Sequence, residues 1–277
     1  MPELPEVELI ARSLNRIVKG RTIVSAELIR AKLAPDTTPA AFAKSLKGKK
    51  INFVHRRGKH ILFDLSDDRT LIVHLRMSGR FSLLPAEREF PKFTHAVFHL
   101  DDDSRLIFDD QRHFGLMKIV KTSQLAEAKE LKKLAPEPFS DEFSVEHFRR
   151  TLKASKRSLK EFLVDQTKVT GLGNIYAAEA MFAAGVHPAV RAHKVSANRA
   201  QLLYESSKAV LQEAISYAEN LPVDPENLEG NYFSGSDEPT WYVYDREGKP
   251  CKKCGTAIRR LKQGGRSTYF CPKCQKR

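Results

Sequence analysis

Four cysteines confined to the last 27 residues, Cys251, Cys254, Cys271 and Cys274, limit more than any other feature what this chain can fold into. They form two C-x2-C pairs with sixteen residues between them. At this spacing, two tight knuckles offer four thiolates to one tetrahedral zinc ion. Between the pairs, Ile258 to Lys262 and Arg266 to Phe270 read as strands, and Gly264-Gly265 supplies the positive φ angles of a two-residue hairpin turn. The sequence therefore predicts a C-terminal β-hairpin stapled by one structural Zn2+. A redox dithiol pair fits this separation less well. Four filled thiolate positions also leave no open position for catalysis.

No cysteine remains for the rest of the 277 residues, so burial rather than disulfides must hold them, and a 41% apolar content permits that. Forty-seven Lys and Arg against thirty-four Asp and Glu give a net charge of +13, the footprint of a protein with a polyanionic partner. Nucleic acid leads a membrane surface, because no basic amphipathic helix stands out. The chain has no run of eighteen apolar residues and no signal-peptide layout at its start. A soluble, intracellular protein of the cytoplasm or nucleoid is expected.

Leu4 to Lys19 carries Val7, Ile10, Leu14 and Ile17 on one face and is closed by Gly20, which predicts a leading amphipathic helix. From Thr22 to Val120 short β-rich runs dominate: Ile23 to Ile29, Ile51 to His55, Ile61 to Leu65, Leu71 to Leu75, Ala96 to Leu100, Leu106 to Asp109 and Leu116 to Val120. Their alternation and their Gly, Asp and Ser breaks suggest an antiparallel sandwich or barrel. Pro136, Pro138 and the acidic stretch around Asp141 mark a linker. After it, Val145 to Leu152, Leu159 to Asp165, Ile175 to Ala184 and Asn198 to Glu219 read as helices, and Leu221 to Thr240 as a long polar loop. The expected division is 1–135 for a β-sandwich domain, 136–225 for a helical domain, 226–242 for a loop or linker and 243–277 for the finger.

Met1-Pro2-Glu3 admits two readings. Proline and glutamate suit the first turn of a helix. Alternatively, removal of Met1 leaves a proline with a free secondary amine beside a carboxylate, an amine nucleophile next to an acid. Gly171-Leu172-Gly173-Asn174, between two helices, is likewise either a plain corner or a phosphate site, with Asn174 capping the second helix. Lys153, Lys156, Arg157 and Lys160 just upstream favour contact with a DNA backbone. Met77 and Phe114 are core residues or, on loop tips, wedges that enter a duplex; Arg112 is a solvated charge or a reader of base edges.

Taken in order, Met1 to Glu8, Arg57-Gly58-Lys59, the Met77 segment, Arg112 to Gly115, Asp165 to Pro188 and the four-cysteine finger with Gly265 to Tyr269 resemble the formamidopyrimidine-DNA glycosylase family. The resemblance runs from residue 1 to 277. It implies an α+β multidomain protein: an N-terminal helix on an antiparallel β-sandwich, a helix-two-turn-helix domain and a zinc-finger hairpin, with double-stranded DNA in the cleft between. It also implies a monomer that flips oxidised purines such as 8-oxoguanine and formamidopyrimidines out of the duplex. Pro2 would attack C1′ and form a Schiff base, Glu3 would act as acid and base with Glu6 as support, and β,δ-elimination would follow with Lys59 and Arg266 at the phosphates. Met77, Arg112 and Phe114 would fill the vacated space, and Lys156, Asn174 and Tyr244 would grip phosphates. Phe93, His113, Asn231-Tyr232-Phe233 and Val243-Tyr244-Asp245-Arg246 depart from the family pattern, as does the 221–240 loop. Leu4 favours the oxidised-purine branch over the endonuclease VIII branch. A non-catalytic DNA-binding relative and an enzyme for oxidised pyrimidines are the alternatives.

Overall fold

The computed structural model describes residues 2–218, 224–228 and 241–277. Met1 and most of the 221–240 loop, including Asn231-Tyr232-Phe233, lie outside them. The described residues form two compact units, 2–132 with 218 and 224–228, and 133–217 with 241–277.

The first unit opens with helix α1, Leu4–Val18. A capping box starts it: the Glu6 carboxylate accepts the Glu3 N–H at 2.7 Å, and the Glu3 carboxylate accepts the N–H of Glu6. Val7, Ile10, Leu14 and Val18 give the helix its buried face. Seven strands fall where β-branched and aromatic runs occur: β1 Thr22–Leu28, β2 Lys49–Arg57, β3 His60–Leu65, β4 Arg69–His74, β6 Thr94–Leu100, β7 Arg105–Asp110 and β8 Leu116–Lys121. Two elements are additional to the sequence reading. Helix α2, Pro39–Leu46, is capped by Thr38, whose hydroxyl accepts the Ala41 N–H at 3.2 Å. Strand β5, Gly79–Leu84, pairs with β7.

All eight strands are antiparallel, in the order β5-β7-β6-β1-β2-β3-β4-β8. β1 and β2 share only the pairs Thr22↔Lys50 and Ile23↔Lys49, so the sheet turns a corner there and folds into two facing halves. Phe81 of β5 meets Phe63 of β3 across the core at 5.6 Å and Phe108 of β7 at 5.2 Å. Their interdigitation is the expected core of a β-sandwich. The free edge of β5 is covered by residues 224–228: Leu83 N–H donates to Pro225 O at 2.8 Å, and Phe81 and Leu228 exchange backbone bonds of 3.2 and 2.8 Å. That pairing removes an open edge.

The second unit contains α3 Val145–Lys153, α4 Leu159–Val164, α5 Asn174–Ala183 and α6 Ala197–Ala218, followed by the hairpin β9 Arg259–Gln263 and β10 Arg266–Phe270. Ser144 and Ser158 cap α3 and α4, and Ser158 forms a capping box with Glu161. Gly264 and Gly265 adopt φ of 53° and 76°, as a hairpin turn with two left-handed positions requires. β10 packs on α5, and Gln275 ties the finger to that helix's C-terminal turn: it accepts the Cys271 N–H at 2.8 Å and donates to Val186 O at 3.0 Å. Among the described residues, no helix is long and apolar enough to cross a membrane.

Candidate active site and nucleic-acid interface

In the first unit, α1 lies along β2. Asn15 Oδ1 accepts the Val54 N–H at 2.9 Å, and Arg56 pairs with Glu8 at 2.5 Å. Towards its N-terminus the helix therefore runs towards the tip of the β2–β3 hairpin. That tip is Gly58-Lys59, closed by the pair Arg57↔His60, with Gly58 at φ 58°. Pro2 and Glu3 are thus at the same end of the sandwich as Lys59. Glu3, Glu6 and Lys59 are buried, at 2%, 3% and 5% exposure. Burial of two carboxylates and an ammonium is costly unless each is paired or has work to do.

Next to Lys59 in the chain, His60 meets the ring of His74 edge to face at 4.6 Å. Burial, the largest cause for both, lowers the pKa of His60 to about 4 and that of His74 to about 2. His74 also feels His60, Arg76 and Lys59. Its Nδ1 accepts the Arg76 N–H at 3.0 Å, which requires that nitrogen to be unprotonated. Both histidines are neutral in the fold and take up protons on unfolding. Their stabilisation is complete above the ordinary pKa of 6.5 and is lost as pH falls below it. Between pH 7 and 4.5 the expected loss is roughly 2 to 3 kcal/mol from each. Denaturant titrations at the two pH values would register it, and His74→Gln should flatten the dependence. A midpoint independent of pH would contradict the assignment.

Two turns at this end carry the candidate wedge residues. Met77 and Phe114 are exposed, at 42% and 54%, which rules out the core reading for both. The Arg112 guanidinium lies 5.4 Å from the centre of the Phe114 ring. Asp110, fully buried, joins the two turns: its carboxylate accepts the Ser78 hydroxyl at 2.5 Å, the Arg112 N–H at 3.2 Å and the Gly115 N–H at 2.7 Å. These hydrogen bonds hold its pKa below the usual carboxylate range against the opposing effect of burial. Gly79 and Gly115 both close on the Phe108 ring, where a Cβ would come within 2.7 Å of it. The divergent residues Phe93 and His113 touch each other edge to face at 5.9 Å, and His113 Nδ1 lies 2.9 Å from His95 Nε2.

In the second unit, the four thiols lie within 4.8 Å of one another, with Cys251 to Cys274 at 3.9 Å and Cys254 to Cys271 at 3.5 Å. A tetrahedral ion with Zn–S bonds of about 2.3 Å sets sulfur atoms about 3.8 Å apart. The Lys253 and Cys274 N–H groups each donate to a knuckle sulfur at 3.4 Å. The residues fit a structural zinc ion, and the chain has a zinc finger.

Lys156 and Arg266 are exposed. Arg266 lines a cleft of about 520 Å3 with Arg157, Lys160 and Gln263. Two expectations need correction. Asn174 does not cap α5: the N-cap is Gly173, and the Asn174 side chain donates to Ser267 O on β10 at 3.0 Å. Lys160 is no surface cation; it is 2% exposed, and its Nζ donates to Asn174 O at 2.8 Å. Glu179, not among the sequence candidates, is a buried carboxylate on α5 that accepts the N–H groups of Tyr242, Val243 and Tyr244 at 2.9, 3.0 and 2.8 Å. Burial raises its pKa despite those bonds. Its signal in the sequence was a lone acid among Ala-rich helical residues.

The sandwich, the helix-two-turn-helix unit and the four-thiolate finger define a DNA-repair enzyme with a structural zinc. Family models match in the same order: the formamidopyrimidine-DNA glycosylase N-terminal domain over residues 1–117, its H2TH domain over 134–221, and the zinc finger found in FPG and IleRS over 248–277. The chain belongs to the formamidopyrimidine-DNA glycosylase family. It is 40% identical to the formamidopyrimidine-DNA glycosylase of Bacillus licheniformis over the full length of both chains, and 40% identical to that of Bacillus subtilis over 99% of each. Among solved structures, the Lactococcus lactis Fpg is 34% identical with a TM-score of 0.90. It has been solved with DNA containing N7-benzyl-Fapy-dG, covering 100% of both chains, and with abasic-site DNA, covering 99% of this chain and 100% of that one. A further complex of the same protein holds an oxidised pyrimidine, again at full coverage of both chains with a TM-score of 0.90.

Proposed function

We propose that this enzyme excises oxidised purines from duplex DNA and then cleaves the resulting abasic site, with Pro2 as nucleophile after loss of Met1. The observation that carries this reading is the buried acid pair at the chain start. A cap alone needs no more than an exposed serine or threonine, whereas Glu3 and Glu6 are both almost fully enclosed. The secondary amine attacks C1′, the C1′–N bond to the base breaks, and the base leaves with a proton. Opening of the sugar ring gives an iminium ion between Pro2 and C1′, and Glu3 moves the protons at the sugar. The iminium draws electrons from the adjacent carbon, so loss of a C2′ proton expels the 3′ phosphate. Loss of a C4′ proton then expels the 5′ phosphate, and water releases the sugar fragment from Pro2. Lys59 serves as proton donor and phosphate contact, and Arg266 binds phosphate from the finger.

Exposure of Met77 and Phe114 supports their entry into the stack, with Arg112 facing the unpaired base. Lys156, Asn174 and Tyr244 are assigned to phosphates, and the functional segments are 1–135, 136–225, 226–242 and 243–277, with residues 224–228 packing on the first of them. Borohydride trapping on abasic-site DNA tests the amine. A panel of duplexes tests the lesion, with oxidised purines opposite cytosine expected to be cut fastest. The Lactococcus lactis complex with an oxidised pyrimidine favours a second reading. Faster cutting of pyrimidine lesions would select it and leave the amine chemistry intact.

A further inference from the structure

Six non-glycine residues among those described have positive φ: Asp67, Asp68, Asp103, Asp245, His113 and Arg76. Aspartate and histidine are enriched in that region because a short polar side chain bonds locally. Arginine has no such compensation, yet Arg76 stands at φ 57°. Its side chain does not build the turn. Other groups fix the backbone: Arg76 N–H donates to His74 Nδ1 at 3.0 Å, Gly79 N–H to Leu75 O at 3.0 Å, and Ser78 Oγ to Asp110 at 2.5 Å. The guanidinium is exposed and takes no hydrogen bond or ion pair among the described residues. A strained position holding an exposed cation without structural duty points to function.

Its surroundings indicate which function. Arg76 immediately precedes Met77. Its charge acts on both His60 and His74, together with Lys59 on His74 and Arg57 on His60. Glu130 is the opposing carboxylate at His60, and it is engaged by Lys118 at 3.4 Å. Arg76 is thus an exposed cation at the same turn as the exposed Met77, a placement suited to a backbone phosphate beside an inserted side chain.

We propose that Arg76 is a further DNA-binding residue, whose guanidinium holds a backbone phosphate beside the point where Met77 enters the duplex. This rests on the DNA-lesion reading above. The test is binding to a duplex with a tetrahydrofuran abasic analogue, measured across salt concentrations for the full-length protein. Arg76→Gly and Arg76→Asn should each weaken binding roughly eightfold at 0.1 M salt and make the slope of log K against log salt shallower by about 1. Arg76→Lys should keep both. Arg76→Gly should also melt about 2 °C higher, since glycine relieves the left-handed strain. A merely structural role would instead lower the melting temperature. Unchanged affinity and slope in the Gly and Asn variants would overturn the proposal, as would equal loss in the Lys variant. If the wild-type protein itself neither binds this duplex nor is trapped on abasic DNA, the functional reading fails and this proposal falls with it.

Discussion

A chain that keeps one residue ahead of Pro2→Gly should give no borohydride-trapped adduct on abasic-site DNA, whereas the wild-type protein should be trapped. While Met1 remains, the Pro2 nitrogen is part of an amide whose lone pair is delocalised into the carbonyl. Once freed, a chain-terminal amine with a pKa near 7.7 to 8.0 is about one-tenth neutral at pH 7, against well under a thousandth for a lysine near 10.4. That gives the terminus an advantage of roughly 300-fold in reactive amine before geometry is considered. Mass spectrometry of the trapped complex locates the bond. An intact Met1 in active protein, or an adduct on an internal lysine, would refute the mechanism.

Removing zinc should have an effect of comparable size. Structural zinc sites contribute apparent binding free energies of about 10 to 16 kcal/mol near neutral pH, and that binding is coupled to folding. The hairpin carries Arg259, Arg260, Lys262 and Arg266 on only five residue pairs between its strands, too little to stand alone. Chelation, or Cys271→Ser at a fully buried thiolate position, should unfold the finger and abolish DNA binding. Circular dichroism and filter binding on the same samples would report both losses. DNA binding that survives complete zinc removal would show that the finger does not contribute to the grip.

The finger was legible in the sequence because each of its constraints is local: cysteine spacing fixes the ligands, and Gly264-Gly265 fixes the turn. Strands with β-branched runs and helices with apolar faces were legible for the same reason. Helix α2 was missed because eight residues with little apolar patterning carry a weak signal, although Thr38-Pro39 marks its start. β5 was missed because Gly79 opens it and Ser82 interrupts it. The inward turn of Lys160 depends on a carbonyl fourteen residues away, and the Asn174 side chain on a partner ninety-three away. Asp110 gathers its donors from Ser78, Arg112 and Gly115. No local pattern encodes such convergence, so the candidate residues could be named from sequence while the groups that position them could not.

The strip of residues 224–228 that seals β5 lies far along the chain from the strand it covers. On the ribosome, the sandwich emerges first and must wait for the whole helical segment to be made before its last hydrogen-bonding row is filled. Throughout that interval the nascent chain presents a strand edge to its neighbours. Slow or stalled synthesis between these segments should therefore favour misassembly of the first unit, whose core at that stage still lacks Leu228.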